Sequence, residues 1–155
     1  MADERFTPML RELACCFQAL EQLSGRHVRT LGLTPSQFDI VVTLGRQNGA
    51  GMTCGELGDQ TLITKGTLTG VLDRLELKQL IQREESREDR RSVIVRLTPA
   101  GEALCTKVFS QHLDYLRPAF SSLDDRFMAE LTGSMQKLRK ALQQYGESNP
   151  PQDHK

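Results

Sequence analysis

The chain lacks several features that would assign it to a common class of protein. Its 155 residues contain no tryptophan, and only 5% of them are aromatic. No apolar run approaches the roughly 20 residues that a membrane-spanning helix needs. The first ten residues, MADERFTPML, also lack a basic segment followed by an apolar block. These absences predict a cytoplasmic chain without a membrane partner.

A surplus of charge of one sign is missing as well, because 20 basic and 20 acidic residues give a formal net charge of zero. A nucleic-acid partner would therefore be bound through the local placement of basic groups and not through a bulk positive field. With 38% hydrophobic and 26% charged residues, the composition is that of an ordinary globular domain.

Motifs of catalysis and of metal binding are absent too. The cysteines form neither a C-x-x-C pair nor a cluster with histidine, which predicts reduced thiols and no metal site. Nucleophile-elbow, phosphate-loop and dinucleotide signatures do not occur, and the three histidines have no recognisable nucleophile or base partner. We therefore expect neither an enzyme nor a cofactor. The cysteines are Cys15, Cys16, Cys54 and Cys105.

Apolar residues recur every three or four positions over most of the chain, which predicts mainly helices. A long first helix is expected over residues 6–31. A second helix is expected over residues 35–47, with Thr34 and Gln37 forming a capping box and a proline at its first position. A further long helix begins at residue 99, with its apolar stripe at Cys105, Phe109, Leu113, Leu116 and Phe120.

The last predicted helix follows Asp124, and Pro118 should kink the helix before it. Its apolar residues alternate at spacings of three and four, as in helices that pack against other helices. These residues are Met128, Leu131, Met135, Leu138, Leu142 and Tyr145. The final residues, 147–155, have the composition of a disordered tail.

Two short helices in the middle of the chain are joined by only a few residues: the first opens at Thr53 and stops near residue 60 or 61, and the second starts almost at once, within the segment 63–84. The second has an apolar face, and its outer N-terminal half is small and polar. A helix that enters a major groove about 12 Å wide needs such a face, because hydroxyls and a lysine meet base edges and phosphates while bulky apolar groups are excluded. The alternative is an ordinary packed helix pair. The candidate DNA contacts here are Thr64, Lys65, Gly66, Thr67, Thr69, Gly70 and Arg74.

Two short strands, LIQRE and SVIVRLT, follow this helix pair and are joined by a highly charged loop. The loop alone could be a solvated hairpin turn. A helix-turn-helix followed by a hairpin with arginines at its tip, however, provides two separate elements that can contact a duplex. In this context the loop is predicted to reach DNA.

In this order and spacing, the motifs resemble those of the MarR family of winged-helix transcription regulators. The family's wing motif, D-x-R or D-R-R followed by L-T-x-x-G, stands here at 89–91 and 97–101, and residues 33–44 and 65–76 resemble its second and recognition helices. The resemblance covers roughly residues 6–145. It implies a mainly α (α+β) winged helix-turn-helix with a two-stranded wing.

The resemblance also implies the organisation and the partners of the chain. A single domain over residues 1–146 would contain dimerisation helices over 6–32 and 99–146 and a winged helix-turn-helix over 33–98. The expected function is that of a DNA-binding regulator, with repression as the expected mode, acting as a homodimer on double-stranded, pseudo-palindromic DNA. A dimeric interaction protein that has lost DNA binding would be expected to lose the wing arginines, which this chain retains.

Individual residues receive roles from the resemblance and from their chemistry. Arg90 at the wing tip is expected to enter a minor groove, where negative potential attracts a guanidinium. Arg91 is expected to pair with Asp73 and to brace the wing against the recognition helix. Ser36, Gln37 and Thr53 lie at helix N-termini, where hydroxyls and backbone amides bind phosphate.

Gln79 departs from the family pattern, which usually has glycine at this position. Glycine accepts the left-handed conformation of a helix C-cap without steric cost, whereas glutamine does not. We therefore expect the recognition helix of this chain to end in a different way.

Two kinds of release signal are considered. His27 and His112 are candidates to line a pocket of the kind in which family members often bind small aromatic anions; the alternative is that they are ordinary helix residues. A small organic effector is expected because the two long helices should leave a crevice where they meet the winged domains. One branch of the family instead senses peroxide through a cysteine near the start of its first helix, which makes Cys15 and Cys16 the candidates for a redox alternative. The tyrosines that surround the thiol in that branch are not matched here, so both cysteines are expected to be buried, apolar residues.

Overall fold

The computed structural model describes residues 4–61, 63–86 and 91–149. It is 74% helical and contains a small three-stranded antiparallel sheet, so the predicted mainly α winged-helix fold is confirmed. The chain divides into two compact units, Met1–Leu116 and Arg117–Lys155, and each is described by itself. In the parts of the chain that are described, none of the helices is both long and apolar enough to span a membrane.

The secondary structure follows the predicted order, with one additional strand. A short 3-10 helix, Glu4–Phe6, precedes the first α-helix. The helices are α1 (Thr7–Thr30), α2 (Pro35–Gly45), α3 (Cys54–Gln60), α4 (Lys65–Leu77), α5 (Pro99–Phe120) and α6 (Asp125–Ser148), and the strands are β1 (Met52–Thr53), β2 (Ile81–Glu85) and β3 (Val93–Leu97).

The capping box predicted for α2 is confirmed. The Thr34 hydroxyl accepts a hydrogen bond from the backbone N–H of Gln37 at 3.2 Å, and the Gln37 side-chain oxygen accepts one from the N–H of Thr34 at 3.1 Å. Helix α2 ends at Gly45, two residues earlier than expected. Two residues of the following turn, Asn48 and Gly49, have positive φ angles of 48° and 84°, which a continuing helix cannot accommodate.

The sheet has the order β1-β3-β2, so the predicted hairpin of β2 and β3 carries a third strand on its other edge. Strand β1 was not predicted, because two residues are too few to show the alternation that identifies a strand. Met52 of β1 and Arg83 of β2 lie opposite the same residue of β3, Val95. The sheet thus joins the start of α3 to the wing.

The main core of the first unit lies between α2, α3, α4 and the sheet. The face of α4 that was predicted to point inward does so. Helix α3 contributes a fully buried leucine, also as predicted. The buried apolar residues of this core are Ile40, Val41, Leu44, Met52, Leu57, Ile63, Leu68, Val71, Leu72, Leu75, Ile81 and Val95.

Helix α1 buries only Gly25 and Val28, both in its C-terminal third. Cys15 and Cys16 are exposed, so the expectation that they are buried was wrong. The periodic apolar residues of α1 correctly identified a helix, but periodicity does not tell whether a helical face is covered by the same chain.

Helix α5 packs through a face that overlaps only in part with the predicted apolar stripe, since Cys105 packs against the core and Leu116 lines a cavity. Its buried residues are Gly101, Val108 and His112, whereas Leu113 of the predicted stripe is 44% exposed. A histidine whose ring nitrogens are hydrogen-bonded can be buried, and hydrophobicity alone does not anticipate this.

The second unit contains the end of α5, which continues through Pro118 to Phe120, and α6. The predicted cap of α6 is confirmed, since a carboxylate oxygen of Asp124 accepts from the N–H of Phe127 at 2.7 Å. None of the residues of α6, all of which are described, is buried. The helix includes residues 147 and 148, which were assigned to the tail; residues 150–155 lie outside the described part of the chain.

Candidate nucleic-acid interface

Helices α3 and α4 form the predicted helix-turn-helix. Leu57 of α3 is fully buried beneath the pair. Thr61, the C-cap of α3, is buried, and its hydroxyl donates to the Leu57 carbonyl at 2.6 Å. Thr64 is then the N-cap of α4. The Thr61 side chain thus caps the end of α3 only three residues before Thr64, the N-cap residue of α4.

The outer face of α4 is exposed and polar over its N-terminal half. The Thr64 hydroxyl donates to the Thr67 hydroxyl at 3.0 Å and accepts from none of the backbone amides of the first turn. Farther along the helix, the Nε of Arg74 donates to the Gly70 carbonyl at 2.9 Å. Residues 64, 66, 67, 69, 73 and 74 are exposed; the side chain of Lys65 lies outside the described part of the chain.

The three residues predicted to bind phosphate at helix N-termini differ in their availability. Ser36 is half-buried at the first turn of α2. Gln37 is only 5% exposed and its side-chain oxygen is engaged in the capping box, while its predicted contact with DNA stays a prediction. The Thr53 hydroxyl donates to the Glu56 carboxylate at 3.0 Å and accepts from the Glu56 N–H at 3.2 Å, in a second capping box.

The wing tip is only partly described. Arg90 lies outside the described residues, together with residues 87–89. Arg91 is described and exposed, and its predicted pairing with Asp73 stays a prediction.

Arg83 is a residue of the interface region that the sequence analysis did not single out. Its guanidinium contacts two carboxylates of α4, with distances of 2.8 Å to Asp73 Oδ1 and 2.9 Å to Glu76 Oε2. Partial burial lowers the pKa of Arg83, but the hydrogen bond to Asp73 and the charge of Glu76 outweigh this and raise it overall. The signal in the sequence was weak, because a single arginine in a charged strand has many possible partners.

The C-terminal end of α4 is a Schellman motif in spite of Gln79. This residue adopts the left-handed conformation with φ of 57°. The N–H of Leu80 bonds the Leu75 carbonyl at 3.0 Å, and the N–H of Gln79 bonds the Glu76 carbonyl at 2.8 Å. The expectation of a different helix end was therefore wrong. The buried Leu75 and the half-buried Leu80 supply the apolar contact that accompanies this motif.

The L-T-x-x-G motif ties the start of α5 to the end of α4. The Thr98 hydroxyl donates to the Gln79 carbonyl at 2.7 Å and accepts from the N–H of Gly101 at 3.1 Å, while the Thr98 N–H bonds the Leu80 carbonyl at 3.0 Å. Any side chain at position 101 would clash with that same carbonyl of Leu80. The threonine and the glycine are thus required by one local arrangement.

A cavity of about 430 Å³ lies in the first unit between α1, α2, α5 and the segment before α4. Its walls are mainly apolar, and His112, one of the two predicted pocket residues, lines it. His27 does not line it but contacts His112. The other lining residues are Phe17, Leu20, Glu21, Ser24, Gly25, Val28, Pro35, Ser36, Phe38, Asp39, Ile63 and Leu116.

The polar end of this cavity is a hydrogen-bonded chain of side chains. The Nε2 of His112 and the Ser24 hydroxyl are 3.0 Å apart, and the Nδ1 atoms of His112 and His27 are also 3.0 Å apart. The Tyr115 ring stacks on His27 with centroids 4.1 Å apart. Burial lowers the pKa of His112, and the charge of His27 lowers it further. His112 is therefore a buried, neutral imidazole at pH 7.

Comparison with known proteins identifies the family. A model of the MarR family matches residues 31–92. The regulator YsmB of Bacillus subtilis, named as an uncharacterized HTH-type transcriptional regulator, is 30% identical over 125 residues, which cover 80% of this chain and 84% of YsmB. The chain belongs to the MarR family.

Solved structures of MarR proteins are similar over most of the chain. A mutant MarR of Escherichia coli, complexed with operator DNA, superposes with a TM-score of 0.73 at 26% identity and covers 89% of this chain and 98% of that one. BpsR of Bordetella bronchiseptica, whose DNA binding is regulated by 6-hydroxynicotinic acid, has a TM-score of 0.71 over 83% of this chain and 91% of its own; at 23% identity it shows the fold alone. This MarR-family chain is a DNA-binding transcription regulator.

Proposed function

We propose that the chain is a homodimeric repressor that binds a pseudo-palindromic operator and is released from it by a small organic ligand. The observation that carries the proposal is the outer face of α4, which is exposed, small and polar next to a sheet whose strands lead to the arginine-rich wing tip. The residues proposed to contact DNA are Ser36, Thr53, Thr64, Lys65, Gly66, Thr67, Thr69, Gly70, Arg74 and Arg90.

Gly66 supports the assignment of this face. A Cβ atom added at Gly66 would meet nothing within 4 Å, so the packing of the free chain does not require glycine there. Glycine also has a lower helix propensity than alanine, so the helix itself does not favour glycine there. Close approach of the α4 backbone to a duplex supplies a reason for it.

The proposed homodimer is supported by apolar side chains that the described chain leaves uncovered. They lie on α1 in the first unit and on α6 in the second. A second copy of the chain would remove them from water, and a dimer would present two copies of α4 about 34 to 36 Å apart. The exposed residues are Met9, Leu10, Phe17 and Leu20 on α1, Phe6 in the 3-10 helix before it, and Phe127, Leu131, Met135, Leu142 and Tyr145 on α6.

Release by a ligand is supported by the cavity at His112. Its volume of about 430 Å³ and its mainly apolar walls suit a small organic molecule. Such a ligand has to bind the form of the dimer that does not bind DNA more tightly than the competent form. A tenfold loss of DNA affinity needs a difference of only ~1.4 kcal/mol between the two forms.

The proposal is tested by selecting duplexes from a random library with the full chain. We expect a pseudo-palindrome whose half-sites are centred about one helical turn apart. Against that duplex, Arg90→Ala should weaken binding and lower the slope of log affinity against log salt by about one unit, because one cation is lost from the phosphate region. Titrations monitored by fluorescence anisotropy at several salt concentrations measure both quantities.

Arg126→Ala is the matched control, because Arg126 pairs with Glu130 on α6 in the second unit. Recovery of no preferred duplex, or an Arg90→Ala variant with the slope of the wild type, would contradict the proposal or the role of Arg90. Since Cys15 and Cys16 are exposed, the same titration includes peroxide. Release of the wild type but not of a Cys15→Ser/Cys16→Ser variant by peroxide would replace the ligand with the redox alternative.

A further inference from the structure

The cavity at His112 has acidic but no basic residues among its described lining. Glu21 of α1 and Asp39 of α2 both line it, together with mainly apolar residues. Among the described residues that line the cavity there is no lysine and no arginine. The described walls of the cavity therefore offer an anionic ligand no fixed positive charge. Transfer of such a ligand from water into the cavity is strongly unfavourable.

His112 does not supply the missing positive charge. Both of its ring nitrogens already have partners, the Ser24 hydroxyl on Nε2 and the His27 Nδ1 on Nδ1, each at 3.0 Å. A neutral imidazole has one N–H and one bare nitrogen, so it satisfies both contacts without gaining a proton. His112 is only 5% exposed, and this burial, with the neighbouring His27, lowers its pKa, so protonation is unfavourable in the ligand-free chain.

An organic cation meets the opposite situation. Its flat apolar body can lie among Leu20, Val28 and Phe38, which line the walls. Its ammonium group can pair with Glu21, a lining residue that is exposed and therefore hydrated in the free chain. A contact between opposite charges next to an apolar wall is stronger than the same contact in water, because the local dielectric is lower.

We infer that the effector site takes a flat organic cation, with Glu21 as its counter-ion, in preference to an aromatic acid. This inference rests on the proposed function in one respect, namely that the cavity is the effector site. It does not depend on which duplex the protein binds. The inference assigns a chemical class to the ligand and a specificity role to Glu21, a residue that lies outside the predicted DNA contacts.

The test uses three probes that share one ring system and differ in charge: 1-naphthylmethylamine, 1-naphthalenemethanol and 1-naphthoate. Binding to the full chain is measured by calorimetry at pH 7.5, without DNA. We expect the amine to bind at least tenfold more tightly than the naphthoate, with the neutral alcohol between them. Glu21→Gln should lower the affinity for the amine to about that for the alcohol and leave the alcohol unchanged.

Glu12→Gln is the matched control, because Glu12 is an exposed carboxylate of the same helix that does not line the cavity. It should leave the amine affinity at the wild-type value. Naphthoate binding as tightly as the amine, an amine affinity unaffected by Glu21→Gln, or no binding of any probe at millimolar concentration would each overturn the inference. A parallel duplex titration of the ligand-free protein separates the two proposals, because a failure of the proposed function appears there and a failure of the cation preference does not.

Discussion

Gln79 shows how a single residue can occupy a conformation that its side chain disfavours. Its φ of 57° lies in the left-handed region, where a residue with a Cβ atom is less stable by roughly 1 to 2 kcal/mol. The neighbouring bonds keep it there: Leu80 closes the Schellman motif, and Thr98 donates to the Gln79 carbonyl. The strain at this residue is therefore compensated by contacts on both sides of it.

Replacement of Gln79 by glycine should stabilise the protein. Glycine adopts the left-handed conformation without steric cost, so we expect the free energy of unfolding to rise by about 0.5 to 1 kcal/mol. Urea denaturation at one fixed protein concentration measures this. Gln79→Ala keeps the Cβ atom and serves as the control, so an equal gain for alanine and glycine would show that the backbone conformation is not the cause.

Gln79 also marks the limit of prediction at the residue scale. The sequence correctly indicates that glutamine disfavours the left-handed conformation. Whether the helix nevertheless ends in that conformation depends on Leu75, Leu80 and Thr98, which come together only in the folded chain. Gln37 illustrates the same limit. Its role in the capping box followed from sequence spacing, whereas its burial depends on the packing of α2.

At the scale of elements, Arg83 connects the recognition helix to the sheet. Its two ion pairs, with Asp73 and Glu76, lie on a partly exposed surface, where such pairs contribute about 0 to 1 kcal/mol each to stability. Their contribution to geometry is more specific. A planar guanidinium that contacts two residues one turn apart on α4 fixes the rotation of that helix relative to β2. This rotation decides which side chains of α4 face a duplex.

Arg83→Met should therefore weaken duplex binding about three- to tenfold with only a small loss of stability. Because Arg83 is expected to position α4 and not to neutralise a phosphate, the salt slope should stay that of the wild type. Arg83→Lys retains the charge but not the two-pronged contact, and should recover only part of the affinity. Anisotropy titrations over a range of salt concentrations, together with urea denaturation, provide these numbers.

Arg126→Met is the control for the loss of an arginine from an ion pair elsewhere in the chain, since Arg126 and Glu130 are 2.9 Å apart on α6. It should leave duplex affinity unchanged. A salt slope reduced by about one unit in Arg83→Met would instead identify Arg83 as a phosphate contact.

Elements with strong local signals were predicted well from the sequence. Helices α2 and α3 begin with capping boxes that four consecutive residues define, and the inward face of α4 repeats at helical spacing. Strand β1 has no such signal, because its pairing with β3 connects residues more than 40 positions apart. The ion pairs of Arg83 are also contacts across elements. Such features depend on tertiary packing and are not encoded in any short window.

At the scale of the whole molecule, α1 and α6 have more apolar surface than the described chain covers. Leu131 and Met135 on α6 are 43% and 46% exposed, and they lie one turn apart on the same face. A soluble monomer rarely exposes apolar side chains in such a continuous row. This row and the exposed apolar residues of α1 both lie on helices that the sequence analysis assigned to dimerisation.

Met135→Glu should dissociate the proposed dimer, because a carboxylate would be buried without a partner when two copies associate. Sedimentation velocity at micromolar concentration should show a dimer for the wild type and a monomer for the variant. Gln136→Glu introduces the same charge at the next position, which points away from the row, and should remain dimeric. A monomeric wild type, or equal dissociation by both substitutions, would exclude this interface.

Helix α5 connects the cavity to the end of the recognition helix without any intervening loop. Thr98, at its start, is bonded to Gln79 and Leu80, and His112 lies 14 residues further along the same helix. At 1.5 Å per residue the two points are about 20 Å apart on one continuous rod. If α5 tilted by about 5° about the point where it lines the cavity, its N-terminal end at Thr98 would shift by about 2 Å. Any such tilt of α5 would therefore act directly on the Gln79 and Leu80 carbonyl groups, which lie just beyond the end of α4.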